Sequence, residues 1–431
     1  MIDLPDQCAA CETDAVGGLQ YLYRSSLVSI APPVPAPMTS CRDSRPLVLH
    51  VRTMTGRGGG PEKTILNSPR FLRRLGYTSI CAYTHPPADP GFDHFSARAV
   101  TAEAPLVSIP DRGPFDVDVL RRLVQFCRQE NVAIWHAHDY KTNVLGLLAR
   151  RFWPMKLATT VHGWGHRFKR TPFYYRIDKL TLRYYDEVIC VSLDLRDECL
   201  RYGVPRDRCH LIFNAIDTEE FCRANLGWPN LETPTSPLRT FVVGALGRLE
   251  DEKCFDLLIA ATDRLISAGR DVSLVIGGEG AARPKLEQQI AATARPQRIR
   301  LLGHVETKDF FRELDAFVLC SCREGLPNVV LEAMALEVPL VCTPVGGIPD
   351  VVSDGVNGRI VPVGNVDALA AGIACILDNP AQTHSMAAAA RRTIEDRFSF
   401  QRRMEKMVAI YDRMLKRPRN DAPLLTGAML P

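Results

Sequence analysis

The residues best suited to chemistry are two glutamates eight positions apart, Glu324 and Glu332. An apolar run at 315–320 predicts a strand, Glu324 follows it in a turn, and Pro327 is placed to begin a helix that carries Glu332. Free amide groups at a helix start, together with two carboxylates, suit the hydroxyl groups of a sugar and a ribose. The ligand-binding candidates here are Gly325, Leu326, Pro327 and Asn328. Proline has no N–H, so the amides would come from the other three. A capped core helix with one solvent-facing glutamate is the alternative, and it explains Glu332 poorly because the neighbours of this residue are apolar.

Two cations, Arg248 and Lys253, follow another predicted strand in the segment 244–253. At a strand end they can converge on one diphosphate, which arginine binds through two parallel hydrogen bonds and lysine binds as a point charge. Three acids lie between them and dilute the positive field: Glu250, Asp251 and Glu252. As ordinary surface charges the two cations need no ligand, so this segment alone is a weak indication.

A glycine-rich loop at 55–63 follows the first predicted strand. Gly59 and Gly60 let the backbone approach a bulky anion, and Pro61 then begins a helix whose amide groups face the ligand. The loop is neither a dinucleotide-binding fingerprint nor a P-loop. Because ligands of open parallel sheets bind at the carboxyl ends of strands, an anion- or substrate-facing loop is favoured over a flexible turn.

His162 lies at the end of a further strand, where it can reach a substrate, although a lone histidine is as often structural. Around it, the segment 140–183 contains ten lysines and arginines and a single acid, Asp178, with aromatic residues among the cations. This pattern favours a surface that faces an acceptor or an anionic membrane. The alternative is a solvated basic helix with an aromatic inner face.

Length and composition limit the class of protein. With 431 residues, 46% hydrophobic and 24% charged, the chain reads as a globular protein of two or three domains. A net charge of +4 is too small to indicate a dedicated nucleic-acid binder. No apolar run approaches the ~20 residues that span a bilayer, and the acidic N-terminus is unlike a secretory signal. The fourteen cysteines lack zinc-site spacing, which predicts reduced, cytoplasmic thiols and no structural metal.

Apolar strand runs alternate with helical patterns in two series, which predicts an α/β fold of two doubly wound Rossmann-like domains. The predicted organisation is an N-terminal acceptor-side domain at 46–225, a Pro-rich linker at 226–239, a C-terminal donor-binding domain at 240–395 and a helix at 396–416 that returns to the first domain. Residues 1–45 are predicted to be a disordered tail or, since Met38 precedes the first strand, a misassigned start. Residues 417–431 are predicted to be a second tail. Pro69 is expected to break or kink the first helix.

The order of these motifs resembles that of the retaining glycosyltransferases of family 4, the group 1 glycosyl transferases. Glu324 and Glu332 match the E-x7-E arrangement of that family, residues 244–253 resemble its G-R-L-x-x-x-K-G segment, and His162 resembles its strand-end histidine. Further segments that fit are 58–62, 214–217, 346–350 and 354–358, and the resemblance covers about residues 46–415. The departures are Cys254 and Ala215, each where glycine is usual, and Asp350, where glutamate is usual.

The resemblance implies a GT-B fold, with two Rossmann-like domains facing across a cleft and a nucleotide-diphosphate sugar held mainly by the second. It implies transfer with retention of anomeric configuration. By resemblance, Arg248 and Lys253 would neutralise the leaving diphosphate and Glu332 would bind the ribose. Glu324 and the amides that follow it would bind the sugar hydroxyls.

By the same resemblance, His162 would contact the transferred sugar, and Gly59 and Gly60 would border a phosphate or the acceptor. Such enzymes need no cofactor and no divalent metal, and two fixed cations can do for a leaving diphosphate what a metal ion does. Asp116 and Asp118 offer a D-x-D pattern that is typical of metal sites. They lie at a predicted helix start, where acids favour the helix dipole, so we interpret them as a cap.

The expected partners are the nucleotide-sugar donor and a glycan or lipid-linked acceptor, with no nucleic acid. Peripheral binding to an anionic membrane, at the inner face of the plasma membrane, is an additional prediction for 140–183. A nicotinamide-dependent dehydrogenase would need a G-x-G-x-x-G motif, which 277–280 does not supply. Two alternatives stay open on the same architecture: a sugar-nucleotide 2-epimerase, and a non-catalytic binding partner, which would have no need of all the charged site residues.

Overall fold

The computed structural model describes residues 29–31, 45–56, 58–163, 171–228 and 239–417. The first sheet is built from β1 (Ser29–Ala31), β2 (Leu47–Thr53), β3 (Thr78–His85), β4 (Leu106–Pro110), β5 (Val132–Ala137), β6 (Lys156–Val161), β7 (Glu187–Cys190) and β8 (Cys209–Leu211). Their order is β1-β4-β3-β2-β5-β6-β7-β8, and all pairs are parallel except β1 with β4. A parallel sheet of this order needs helical crossovers between its strands.

The helices of this first unit are α1 (Gly60–Arg74), α2 (Pro90–Thr101), α3 (Val117–Gln129), α4 (Tyr140–Ala149), α5 (Thr171–Leu182) and α6 (Leu193–Arg201). Apolar side chains leave both faces of the central strand β2: Leu49 and Val51 join one buried cluster, and Val48 joins another. A sheet buried on both faces explains why its strands read as continuous apolar runs.

The second sheet is built from β9 (Phe241–Leu246), β10 (Val272–Gly277), β11 (Ile299–Gly303), β12 (Ala316–Leu319), β13 (Leu340–Cys342) and β14 (Arg359–Ile360), in the order β11-β10-β9-β12-β13-β14. The helices of this unit are α7 (Phe255–Ser267), α8 (Arg283–Ala291), α9 (Thr307–Arg312), α10 (Asn328–Ala335), α11 (Val366–Asp378) and α12 (Pro380–Arg397). All its described strand pairs are parallel. Two doubly wound α/β units therefore follow one another, as the sequence predicts.

The last described helix, α13 (Phe400–Leu415), crosses back to the first unit. The Phe400 ring packs on Phe71 of α1, and Tyr411 is fully buried against Tyr77. The Tyr77 hydroxyl donates to Asp412 Oδ1 at 2.7 Å. The predicted return of the C-terminal helix is confirmed, and it fixes the two units to each other by apolar burial.

Helix α1 runs through Pro69, so the expected break is wrong, whereas a kink at this residue stays a prediction. Proline cannot donate to the carbonyl four residues earlier, that of Ile65. The Cys81 thiol of β3 lies 3.6 Å from that oxygen and donates to it instead. This tertiary contact compensates for the lost helical hydrogen bond.

The termini and the linker are only partly described. Within the segment predicted to be a tail, β1 forms a short edge strand that the sequence did not indicate; residues 1–28 and 32–44 lie outside the described residues. So do most of the predicted linker, at 229–238, and the end of the chain from 418. No helix in the described part of the chain is long and apolar enough to cross a bilayer. The cysteines of the described residues are free thiols.

Candidate active site

A cleft of about 940 Å³ opens where the carboxyl ends of the two sheets face each other. The first unit contributes His162 after β6 and Tyr175 of α5, and the second contributes Arg248, Glu324 and Gly325. Parallel strands end at one edge of a sheet, so loops far apart in sequence meet there. Four of the residues predicted to act on the sugar and the diphosphate therefore share one cavity: His162, Arg248, Glu324 and Gly325.

Glu324 is held at the floor of this cleft by two donors. Lys253 Nζ lies 2.5 Å from Glu324 Oε1, and the Ser321 hydroxyl donates to the same oxygen at 2.7 Å. Lys253 ends a short 3-10 helix after β9, and Glu324 follows β12, the neighbour of β9 in the sheet. A carboxylate and an ammonium side by side can bind a sugar hydroxyl and a phosphate oxygen together.

Arg248 projects into the cleft with 45% of its side chain exposed. It forms ion pairs with Glu250 and, at 3.2 Å, with Glu252, two of the acids that dilute its charge in the sequence. Such exposed pairs contribute little stability in water. Arg248 can therefore turn to an anion in the cleft at small cost.

The loop that carries Glu324 is fixed by a glycine turn. Gly346 has a φ of +55°, and a Cβ there would come within 2.3 Å of the carbonyl oxygens of Glu324 and Gly325. The Gly347 amide donates to that same Gly325 oxygen at 2.7 Å. The close approach requires glycine at 346, and it holds Glu324 in position.

Glu332 lies outside the cavity, fully buried on α10, and makes an ion pair across the two units. Lys63 of α1 donates to its Oε1 at 2.7 Å and to the Thr307 hydroxyl at 3.2 Å. The second carboxylate oxygen, Oε2, is buried and has no partner in the part of the chain that the structure describes. A buried carboxylate oxygen without a partner is costly unless a ligand satisfies it.

The glycine loop before α1 meets the start of α10. Glu62 bends back to accept from the Gly59 amide at 2.6 Å, and it also accepts from Arg52 at 2.6 Å. The Asn328 side chain donates to the Gly60 carbonyl at 3.0 Å. The starts of α1 and α10 thus lie side by side, and the Glu62 carboxylate already accepts from an amide at the first of them.

His162, which is half-buried at the cleft, is the first member of a chain of histidines that continues into the core. Its Nε2 lies 3.1 Å from His138 Nδ1, and His138 Nε2 lies 2.9 Å from His50 Nδ1. Burial lowers the pKa of all three well below that of a free histidine, so the rings are neutral. A neutral ring carries one N–H, so the three tautomers are coupled and only two arrangements satisfy both contacts. His162 Nδ1 is buried and has no partner among the described residues, so a substrate group could satisfy it.

Two members of this chain, His50 and His138, lie beside a further buried histidine, His136. The nitrogens of these three rings lie within 4.8 Å of one another and could supply metal ligands. The nitrogens of His136 already bond the hydroxyls of Tyr411 and Thr160, at 2.6 and 2.8 Å. The buried guanidinium of Arg403 lowers the pKa of His50 and His136 further, which indicates a positive local field. Hydrogen bonding explains this cluster better than cation binding does.

The predicted site residues thus fall into two groups. His162, Arg248, Glu324 and Gly325 line the cleft, and Lys253 reaches it through Glu324. The others lie at the junction of α1 and α10 or in the adjacent core: Gly59, Gly60, Leu326, Pro327, Asn328 and Glu332. Asp116 is the N-cap of α3 and accepts from the Asp118 amide, which confirms its interpretation as a cap.

Sequence reasoning missed the partners of these residues, above all Lys63 and His138. His138 could have been found, because it follows β5 as His162 follows β6, and those strands are adjacent. Lys63 gave no such signal, since its partner is 269 positions away.

Two sequence families match the chain. Residues 58–220 match the family described as Glycosyltransferase Family 4, and residues 240–379 match the one described as Glycosyl transferases group 1. The capsular polysaccharide biosynthesis glycosyltransferase CapM of Staphylococcus aureus is 26% identical over 56% of this chain. The glycogen synthase of Mycobacterium tuberculosis is 29% identical over 62%. The chain spans 65% of the length of each of these relatives.

Among solved structures, HepE of Anabaena, in complex with UDP-glucose, superposes with a TM-score of 0.71 at 20% identity. The match covers 85% of this chain and 99% of the HepE chain. This likeness, together with the two facing sheets, confirms the predicted GT-B fold.

Proposed function

The chain belongs to the group 1 glycosyltransferases of family 4, and from that premise we propose that it moves a sugar from a nucleotide-diphosphate donor to a glycan or lipid-linked acceptor, with retention of configuration. The observation that carries this is the cleft in which Arg248 and the Lys253–Glu324 pair face His162. One side offers cations for a departing diphosphate, and the other offers a neutral ring for the transferred sugar.

The second unit has the groups to hold the donor. A ribose hydroxyl that donates to the unpartnered Oε2 of Glu332 would satisfy that buried oxygen, while Lys63 keeps Oε1. The diphosphate would then extend toward Arg248 and Lys253, and Glu324 would accept from the sugar hydroxyls. In this arrangement the carboxylates orient the donor and the cations neutralise its leaving group.

The transfer breaks the bond between the anomeric carbon and the diphosphate, and the acceptor oxygen forms the new bond on the same face. The departing diphosphate gains negative charge, which Arg248 and Lys253 stabilise without a divalent metal. The acceptor hydroxyl loses its proton, which the departing diphosphate can take up as its negative charge grows. His162 would position the sugar through Nδ1.

The acceptor would enter along the first unit. Tyr175, Arg176 and Tyr202 line that wall of the cleft, opposite Arg248. Aromatic rings pack on the apolar faces of sugars, and a cation suits an acceptor with acidic groups. CapM is named for capsular polysaccharide biosynthesis, which supports a role in making polysaccharides or glycoconjugates. We extend the proposal to a cytoplasmic enzyme that binds the inner membrane surface through 140–183.

Nucleotide titrations test the donor assignment. UDP and UDP-glucose raise the melting temperature of the wild type if they bind the folded chain, and a panel of other nucleotide sugars identifies the base and sugar. We expect Glu332→Gln to weaken both the bare nucleotide and the intact donor, by roughly 10- to 100-fold for one charge-assisted hydrogen bond.

We expect Glu324→Gln to lower turnover with the intact donor and to leave binding of the bare nucleotide nearly unchanged. Equal effects of the two substitutions on the bare nucleotide would contradict the assignment of ribose to one glutamate and sugar to the other. Glu313→Gln, an exposed change in the same unit, is the matched control.

A further inference from the structure

Two thiols meet beside the donor-binding residues. Cys254 follows Lys253, and Cys322 stands two residues before Glu324. The Cys322 amide donates to the Glu252 carbonyl at 2.9 Å, and the Cys322 and Cys254 sulfurs lie 3.4 and 3.8 Å from that same oxygen. The loops after β9 and β12 are therefore joined where the two side chains converge.

The position of Cys254 is unusual for its residue type. Its φ is +53° and its ψ is +36°, in the left-handed region, where a side chain is disfavoured relative to glycine. Glycine is the usual residue at this place in the motif, so the cysteine adds a thiol where the backbone disfavours one. Its neighbour there, Cys322, is exposed at the cleft surface.

We propose that Cys254 and Cys322 form a reversible disulfide, which makes this end of the cleft a site of oxidative modification. With hydrogen peroxide as the oxidant, two S–H bonds break and one S–S bond forms, while the peroxide takes up two electrons and two protons to become two waters. With a small-molecule disulfide as the oxidant, the same electrons and protons yield two thiols.

The two thiols have different roles in this reaction. Burial, followed by the hydrogen bond with Cys322, raises the pKa of Cys254 to about 11, so this thiol is a poor first nucleophile. Cys322 is exposed and meets the oxidant first. Cys254 then displaces water from the oxidised sulfur, or a thiol from a mixed disulfide.

The cross-link would act on the neighbouring pair, Lys253 and Glu324. A disulfide holds its sulfurs ~2.05 Å apart, closer than two thiols in contact, so it draws the two loops together. Lys253 and Glu324 are 2.5 Å apart in the free-thiol state and sit on those loops. This consequence rests on the proposed function, because it assumes that the pair binds the donor; the disulfide itself does not.

Peptide mapping of the full chain tests the disulfide directly. The protein is reduced with dithiothreitol, desalted, exposed to hydrogen peroxide or oxidised glutathione, and alkylated before digestion. We expect a cross-linked peptide pair containing Cys254 and Cys322, two hydrogens lighter than the sum of the reduced peptides, that disappears after renewed reduction. Cys322→Ser and Cys254→Gly should each abolish it, and the glycine variant relieves backbone strain and so should fold. Cys375→Ser is the matched control and should keep the cross-link.

A second readout follows the donor site. Oxidation should suppress the melting-temperature shift that UDP causes in the reduced wild type, and dithiothreitol should restore it, whereas Cys254→Gly should be insensitive to the oxidant. Absence of the cross-link would overturn the proposal. The proposal would also be overturned if the only cross-link that formed joined Cys190 to Cys199, whose buried sulfurs lie 3.6 Å apart. If the protein forms the cross-link after oxidation but UDP does not raise the melting temperature of its reduced form, the result would count against the donor assignment and not against the disulfide.

Discussion

Lys63 Nζ lies 2.7 Å from Glu332 Oε1, so one helix of each α/β unit contributes to a single ion pair. Glu332 has no exposed surface, whereas 34% of the Lys63 side chain is exposed. The pair therefore compensates a buried carboxylate with a cation that can still reach solvent. It links the position of the first unit to the residue that we assign to the ribose.

Lys63→Met tests this link, since it removes the cation and keeps most of the aliphatic side chain. Breaking a buried pair costs roughly 3–5 kcal/mol, and we expect about 1–3 kcal/mol here because the lysine is partly exposed. Urea unfolding measures the loss. Adding Glu332→Gln should recover part of it, because no buried charge is then left unpaired.

Lys285→Met is the matched control, since the 3.8 Å pair of Lys285 with Asp251 is largely exposed on both sides. It should leave the unfolding free energy nearly unchanged. Strictly additive losses in the Lys63→Met/Glu332→Gln double variant would show that the two side chains do not interact in solution.

Arg248→Ala tests the diphosphate assignment. Loss of one charge-assisted contact to a leaving group should raise the barrier by ~2–4 kcal/mol, roughly 30- to 1000-fold in turnover. Folding should not change, because the two acids that pair with Arg248, Glu250 and Glu252, are partly exposed. Steady-state transfer assays measure the effect, and near wild-type turnover of the folded variant would refute the role.

Metal independence is a separate prediction for the same cations. Wild-type turnover should survive an excess of EDTA, because Arg248 and Lys253 are expected to neutralise the diphosphate themselves. Lys253→Ala should lower turnover in a similar range. Recovery of that variant by added Mg²⁺ would show that a metal can replace the cation, and loss of wild-type activity in EDTA would contradict the prediction.

Most strands were predictable because they are apolar runs between turn residues, whereas β1, β4 and β8 were not predicted. The run at 46–52, for example, appears as β2 (Leu47–Thr53). Helix α2 was missed: the stretch before it reads as a Pro-rich turn, yet Asp89 caps the helix by accepting from the Gly91 amide, and Pro90 begins it. Local sequence does not distinguish a turn from a capped helix start when proline suits both.

The site was predictable where chemistry lies at strand ends, as with His162 and Glu324. It was not predictable where a residue depends on the docking of the two units. Lys63 looks like an ordinary surface lysine until α1 is placed against α10. The hydrogen-bond chain behind His162 likewise requires the order of β2, β5 and β6 in the sheet.

The buried histidines predict acid-sensitive stability. Burial lowers the pKa of His50 to about 3, with a smaller contribution from Arg403, against 6.5 in the unfolded chain. Between those values the unfolded chain binds a proton that the folded chain does not, so stability is lost as the pH falls below about 6.5. His136, His138 and His162 shift in the same direction. We expect each such group to contribute up to ~1.4 kcal/mol per pH unit well below 6.5.

Urea midpoints at pH 7.5, 6 and 5 measure this loss. His50→Asn removes one titrating group and retains a hydrogen-bonding side chain, so it should reduce the loss between pH 7.5 and 5 by roughly 2 kcal/mol. His304→Asn, at an exposed position, should leave the slope unchanged. Equal slopes for the wild type and His50→Asn would mean that His50 is protonated in the folded chain.

The described part of the basic segment 140–183 places three cations at one edge of the first sheet. Lys156 begins β6, and Arg151 and Arg183 closely follow α4 and α5, so these cations lie at the edge of the sheet opposite the cleft. Phe152 and Tyr184 are exposed beside them, at 56% and 59%. Arg167, Lys169 and Arg170 lie outside the described residues, in the chain between the carboxyl end of β6 and the start of α5.

Two triple variants decide which part of the segment binds a membrane. Because a membrane-linked acceptor must reach the cleft, we expect Arg167, Lys169 and Arg170, replaced together by Glu, to lower co-sedimentation with phosphatidylglycerol vesicles and transfer to a lipid-linked acceptor. At about 1 kcal/mol per cation near an anionic surface, the loss of the three cations alone amounts to roughly 100-fold in binding. The same replacement of Arg151, Lys156 and Arg183 changes the net charge equally and should leave both measurements nearly intact.

Binding of the wild type to anionic vesicles should also fall as salt is added, and it should be absent with phosphatidylcholine vesicles. Loss of binding only in the second variant would place the membrane at the edge away from the cleft, and recovery of the wild type in the supernatant at low salt would leave the segment as a wall of the acceptor cleft alone.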